Sequence, residues 1–385
     1  MDTRKRKLNR FAFLFLLVLV LSIGIFNYLV DPFALFFYEP YYIKPFKSGY
    51  EREFFNIRFK LDKKKKYSTV FVGGSSIWGS FYPETVEQYV PKNEVEILAF
   101  EGPSTVDLIY LTKLFVTFHP EVKKVYFAIE YNTLYTDRQE KSVDNYNGDR
   151  LTPSELAKMF FSIDTTYLSL KQFRMDIERK RWENNPDARG LYDTNIIYPK
   201  IRVAYGNSKI EKRDVQKIID LSNFLKKRGI EGIFFIPAYH SLHLANMHYD
   251  SRDIEIENLK RELTKHMDLY DFAYSSYYTN LSLPKKDGEY VSIHAYNDPL
   301  HPSVSLGKIM FESLINKRKD FGLVLTNDNV DSLLKYERIQ LQEYMSQNKT
   351  TVDKYMKNST DRFSGDWAYK IHTLCPISDI QKMEQ

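Results

Sequence analysis

The hydrophobic and polar positions divide the chain into unlike stretches. From Phe11 to Val30 no charged residue occurs for twenty positions. At about 1.5 Å per helical residue such a run crosses a hydrocarbon core of about 30 Å. Being apolar all round, it leaves no polar face for a core helix, and it predicts a membrane-spanning helix. Residues 31–67 are aromatic and proline-spaced and read as a juxtamembrane segment.

From Ser68 short β-branched runs alternate with helical patterns. Strands are predicted at 69–73, 94–100, 124–130, 230–237 and 269–272, and helices at 83–90, 104–118, 211–228 (ended by Gly229), 252–266 and 303–317. That alternation predicts an α/β fold with a parallel central sheet and helices on both faces. It is interrupted at 137–205 by polar loops around helical stretches, one of them near 168–182, which read as an insertion or cap over the sheet. Residues 273–297 read as a loop, 326–349 as an amphipathic helix, and the polar remainder as a tail.

Charge gives the first helix a direction. Arg4, Lys5, Arg6, Lys7 and Arg10 precede it and Asp31-Pro32 follow, so the basic end is expected in the cytoplasm and residues 31–385 outside it. The apolar run exceeds a signal-peptide core and no small-x-small cleavage site follows, which favours an uncleaved anchor. The net charge is +5, and because the first ten residues hold most of it, the remainder is nearly balanced, arguing against a nucleic-acid binder. Lys63–Lys66 reads as a solvated loop. The single cysteine, Cys375, excludes an intrachain disulfide and a Cys-rich zinc site. Export without disulfides points to a bacterial periplasm or cell surface.

The candidate chemistry begins where the strand 69–73 breaks on Gly73-Gly74 into Ser75-Ser76. A serine there sits at the carboxyl edge of the sheet, where open α/β folds bind ligands. A serine nucleophile needs a base, a partner that orients the base, and donors for the oxyanion. Asp298-Pro299-Leu300-His301 places a carboxylate three residues before an imidazole, close enough for one loop or a first helical turn to join them. Gly102 and Asn132, after the next two strands, are candidate oxyanion donors beside the N–H of the serine itself. His240, with Tyr239, follows the strand 230–237, and His294 precedes the Asp-His quartet; all three are candidates to line a substrate cleft. His240, His243 and His248 lack a metal-ligand pattern such as His-Glu-x-x-His, so neither a metal nor a cofactor is expected.

These blocks resemble the SGNH (GDSL-like) hydrolase superfamily. Gly74-Ser75-Ser76-Ile77 matches the Gly-Asp-Ser-Leu block, Gly102 the glycine of the second, Glu130-Tyr131-Asn132 the Gly-x-Asn of the third, and Asp298 with His301 the Asp-x-x-His of the last. The resemblance implies a three-layer αβα, flavodoxin-like domain over 68–325. It also implies Ser76, Asp298 and His301 as the triad, and Ser76, Gly102 and Asn132 as the oxyanion hole. Ser76 is favoured over Ser75 as nucleophile because only that register leaves Ile77 in the aliphatic position. Domain organisation is then a cytoplasmic tail at 1–10, the membrane helix at 11–30, the juxtamembrane segment at 31–67, the SGNH-like domain at 68–325, and a C-terminal helix and tail at 326–385.

More narrowly, the chain is similar to membrane-anchored bacterial SGNH-like proteins of surface-polysaccharide and cell-wall modification, such as relatives of DltD and of alginate O-acetylation proteins. That implies an extracytoplasmic esterase or O-acyltransferase, acetyl being the expected group, on a glycan or acylated carbohydrate. Other envelope-biosynthesis proteins are the expected partners. The other reading is a catalytically inactive assembly or glycan-binding protein on the same fold.

Overall fold

The computed structural model describes residues 3–30, 65–78, 80–81, 86, 88–91, 94–99, 103–134, 152–170, 209–281, 285–286, 289–290 and 296–357. Its centre is a six-stranded sheet: β1 Thr69–Gly73, β2 Val95–Ala99, β3 Lys124–Ala128, β4 Glu231–Ile236, β5 Leu269–Asp271 and β6 Leu323–Leu325. The order across the sheet is β6-β5-β4-β3-β1-β2. β1 to β5 are parallel and β6 closes the edge antiparallel to β5. The sheet is therefore a mixed, mostly parallel one, and its first five strands run in the order 2-1-3-4-5 of doubly wound sheets.

Strand side chains alternate between two cores. Val70, Val72, Val125, Phe127, Phe234 and Ile236 join one, with Leu108, Leu111 and Phe115 of helix Thr105–Phe118, Ile218 and Leu225 of Lys212–Lys227 and Leu259 of Asp253–Thr264. Phe71, Tyr126, Ala128, Ile233 and Phe235 join the other, against Met310 and Phe311 of helix Val304–Leu314. Phe71 stacks on Tyr126 at 4.5 Å between ring centroids. Full burial of each such side chain stabilises by roughly 1.5–3 kcal/mol.

Local signals set the element ends. Ser104 caps its helix by a reciprocal pair of bonds with Asp107. Gly229, at φ 70°, ends Lys212–Lys227 while its own N–H and that of Ile230 return to Lys226 and Leu225. β6 and helix Ser241–Tyr249 are additions to the predicted elements. The expected loop 273–297 contains a short hairpin, Lys285–Lys286 with Glu289–Tyr290, and the strand Tyr296–Asp298 starts within its last residues. Of the helix expected at 83–90, residues 83–85 and 87 lie outside the described residues, as do 171–182 of the stretch at 168–182. The insertion, expected as a cap over the sheet, packs its described residues on the N-terminal helix Thr3–Val30. That helix is long and apolar enough to cross a membrane.

A buried ion cluster fastens the C-terminal helix Val330–Gln347 to the sheet. Lys260 Nζ lies 2.5 Å from Asp271 at the end of β5 and 2.5 Å from Glu337, the three side chains being 3%, 0% and 12% exposed. Burial pushes the Glu337 carboxyl up to about 8 against the pull of Lys260, whose ammonium is held above its ordinary range by the two carboxylates. Removing the cation strands both carboxylates in the interior. Lys260→Met is expected to destabilise the protein by about 3–5 kcal/mol, read as a shifted urea midpoint in detergent; an unchanged midpoint would refute the cluster's role.

Candidate active site

β1 runs through Gly73 and Gly74 into the short helix Ser75–Trp78. The turn is held from below by Glu130, two residues beyond β3, which is only 2% exposed. Its Oε1 accepts the Gly74 N–H at 2.5 Å and its Oε2 the Ser76 N–H at 3.3 Å. A Cβ on Gly74 would stand 3.0 Å from that carboxylate, so glycine is what lets the two approach. Burial pushes the Glu130 carboxyl up, while the donors on Gly74 and Ser76 and the neighbouring His301 pull it back.

The adjacent serines have different surroundings. Ser76 is 1% exposed: its N–H goes to Glu130, its carbonyl accepts the Ser80 hydroxyl at 2.5 Å, and its Oγ donates to the Leu300 carbonyl at 3.3 Å. Ser75 is half-buried, with Oγ 2.8 Å from His301 Nε2. The serine beside the imidazole is thus Ser75, the alternative to the Ser76 that the sequence register favours. The chain enters a helix at this point and successive side chains turn by about 100°, so the two serines point in different directions whichever of them matches a sequence block. Ser76 N–H, expected to bind an oxyanion, is already taken by Glu130. The N–H of Ser75 stands at the first helical position, where no intrahelical acceptor exists.

His301 is delivered by a tight hairpin. Tyr296–Asp298 pairs antiparallel with His301–Pro302, and Asp298 stands directly opposite His301 in the backbone register. The quartet is therefore joined across a two-residue turn, Pro299-Leu300, and the helix behind it starts at Val304. Asn132 is half-buried on the helical turn Tyr131–Leu134, beyond β3 and next to β1 in the sheet. Gly102 and His294 lie outside the described residues.

Tyr239 and His240, the expected cleft residues, are both buried. Tyr239 is 0% exposed, and its hydroxyl accepts the Tyr131 N–H at 3.2 Å. His240 is 1% exposed and caps helix Ser241–Tyr249: Nδ1 accepts the Leu242 N–H at 3.1 Å and Nε2 donates to the Leu281 carbonyl at 2.9 Å. Its own N–H donates to the Pro299 carbonyl at 2.9 Å, so it pins the turn that carries His301. His243 is fully buried and His248 pairs with Asp253 at 2.8 Å. Among the described residues no three His, Cys, Asp or Glu side chains form a group able to hold a metal.

In the sequence match Glu130 stands only where the third block has a glycine. A signal was present: an acid closing the buried run Lys124-Val-Tyr-Phe-Ala-Ile-Glu130 requires hydrogen-bond donors, because an unpaired buried carboxylate is costly.

Two outcomes follow from these contacts. Glu130→Ala leaves the Gly74 and Ser76 N–H groups unsatisfied and is expected to destabilise the protein by about 2–3 kcal/mol, measured by urea denaturation. Burial also holds the His240 imidazole at about 4, below its ordinary 6.5. The unfolded chain then takes up the proton first, so stability is full above about pH 6.5 and falls by roughly 3 kcal/mol as pH drops toward 4. His240→Asn keeps a capping oxygen and should remove this acid slope; an unaltered slope in urea midpoints from pH 7 to 4.5 would assign it elsewhere.

Among solved structures, the chain is similar to a Streptococcus pneumonia protein described as a candidate platelet activating factor, at 11% identity and TM-score 0.36, over 69% of this chain and 92% of that one. It is also similar to a candidate acylhydrolase from Bacteroides fragilis, at 12% identity and TM-score 0.32, over 70% and 88%. No family model and no curated protein matches the chain. Likeness at these scores bears on neither activity nor substrate.

Proposed function

We propose that the chain is a membrane-anchored serine esterase or O-acyltransferase with an SGNH-type αβα domain outside the cytoplasm, acting on an acylated surface glycan. The observation that carries this reading is the 2.8 Å contact between Ser75 Oγ and His301 Nε2 at the carboxyl edge of β1. It lies where the strand order reverses between β1 and β3, the position at which open α/β sheets bind ligands. Both groups are half-buried and so open to a substrate.

In this reading Ser75 Oγ attacks the acyl carbonyl and passes its proton to His301 Nε2. Asp298, across the hairpin, orients the imidazole. The Ser75 N–H, Gly102 N–H and Asn132 amide receive the oxyanion. The alcohol of the glycan ester leaves with the proton from His301, and the acyl-serine is then opened by water or by a second sugar hydroxyl. Acetyl is the proposed acyl group, and other envelope-biosynthesis proteins the proposed partners. The N-terminal helix supports the location: its basic flank stays in the cytoplasm and the sheet domain lies on the other side.

The test is labelling of the purified full chain by a fluorophosphonate probe. Wild type and Ser76→Ala are expected to label, and Ser75→Ala to lose the label. His301→Ala should lower hydrolysis of an activated acetyl ester by about 10²–10⁴-fold. Label lost from Ser76→Ala but kept by Ser75→Ala would reverse the assignment, and a folded wild type that does not label would favour an inactive assembly or glycan-binding role.

A further inference from the structure

Residues 152–170 form two consecutive helical segments whose burial is inverted. The first, Pro153–Phe161, is capped by Thr152 and Glu155. The second covers residues 163–170. In it the small polar residues Thr165 and Ser169 face inward, both 0% exposed, and among the described residues the Ser169 hydroxyl has no hydrogen-bond partner. The large apolar residues face outward. Ile163 is 87% exposed, Tyr167 50% and Leu170 56%, a stripe at i, i+4 and i+7, and Phe161 adjoins it at 46%. A water-facing helix buries that stripe and exposes its hydroxyls.

What lies beside the stripe identifies its solvent. The pair packs on the N-terminal helix, whose side chains from Leu8 to Leu29 are themselves largely exposed and apolar. Asn27, 2% exposed, donates its amide to the Phe160 carbonyl at 2.7 Å and to Thr166 Oγ1 at 3.0 Å. A Cβ on Gly24 would stand 2.5 Å from the Phe161 ring, so a small residue admits the helix there. Small residues for close approach and an amide as interhelical glue are what join helices in lipid. Depth agrees too. Gly24 and Asn27 precede Val30 by six and three residues, which is roughly 9 and 4.5 Å along the helix. Amphipathic helices lying in a membrane interface sit about 5–10 Å into the boundary.

We propose that residues 153–170 are an interfacial element that docks on the membrane helix at Gly24 and Asn27 and buries Phe161, Ile163, Tyr167 and Leu170 in the outer leaflet. The occupant of the apolar stripe is lipid, continuous with the lipid around the anchor. The element fixes the height and tilt of the chain on the membrane, which a single spanning helix alone does not. This inference rests on the anchor reading above and extends it.

Full-length protein carrying Cys375→Ser and one added cysteine, Ile163→Cys or Leu170→Cys, would be labelled with an environment-sensitive fluorophore. It would be placed one chain per nanodisc of phosphatidylcholine and phosphatidylglycerol, with Leu17→Cys as the deep control and Lys226→Cys as the aqueous one. Probes at 163 and 170 are expected to shift to the blue and to be quenched at least about twofold more by spin labels near the headgroups than by labels at the bilayer centre. The Leu17 probe should show the reverse. Unquenched probes at 163 and 170 beside a quenched Leu17 overturn this inference and leave the anchor intact. An unquenched Leu17 overturns the anchor and the inference with it. Blue-shifted but unquenched probes at 163 and 170 would mean that protein covers the stripe, and would also refute it.

Discussion

The carboxylate of Glu130 beneath the turn Gly74–Ser76 is the constraint on which the site depends. Two N–H groups at the end of β1 would otherwise be buried without acceptors, and a carboxylate at the end of β3 would be buried without donors. Each satisfies the other only in one arrangement of the turn, because charge-assisted bonds in a low-dielectric interior lose much of their energy when misaligned. The direction of Ser75 is a consequence. With Gly74 and Ser76 both held by their N–H groups, the residue between them projects its side chain to the opposite side, toward His301.

The imidazole is fixed by contacts of the same kind. The Pro299-Leu300 turn receives a hydrogen bond at each of its two carbonyls, from the His240 N–H and from the Ser76 hydroxyl. Ser76 therefore takes part in both halves of the site: its amide holds the serine turn and its hydroxyl holds the histidine turn. That explains why it is buried while its neighbour is open, and why a polar residue is needed at a position that contacts no substrate in the proposed mechanism. His240 stays neutral through most of the pH range because burial depresses its pKa, so its cap and its bond to Leu281 persist where the site would operate.

Much of this was legible in the sequence because it follows from period. Val70-Phe71-Val72, Val125-Tyr126-Phe127 and Phe234-Phe235-Ile236 read as strands buried on both faces, and the cores on either side divide their side chains accordingly. Which serine stands beside His301 was not legible, since it depends on the rotation at a strand-to-helix transition and on a carboxylate 54 residues from Ser76. β6 was missed because three residues, Leu323–Leu325, pair antiparallel on an edge and leave a weak alternation. Helix Ser241–Tyr249 was missed because burial of His243, Ala245 and Asn246 makes it an interior helix without a polar stripe, which leaves no amphipathic period to read.

The inversion of polarity at 163–170 belongs to a different kind of limit. A stripe of Ile163, Tyr167 and Leu170 opposite Thr165 and Ser169 is as amphipathic as any soluble helix, and periodicity alone assigns its apolar face to a protein core. Only the partner decides the matter. In the sheet domain apolar residues leave water for protein; in the proposed docking the medium beside the N-terminal helix is lipid, as apolar as the side chains, so exposing them there costs little. What must be withdrawn from that medium is the polar set, and Asn27, Thr165 and Ser169 are the residues withdrawn. The rule that governs β1 therefore also governs this segment with its signs exchanged, and burial of hydroxyls there is evidence about the solvent as much as about the fold.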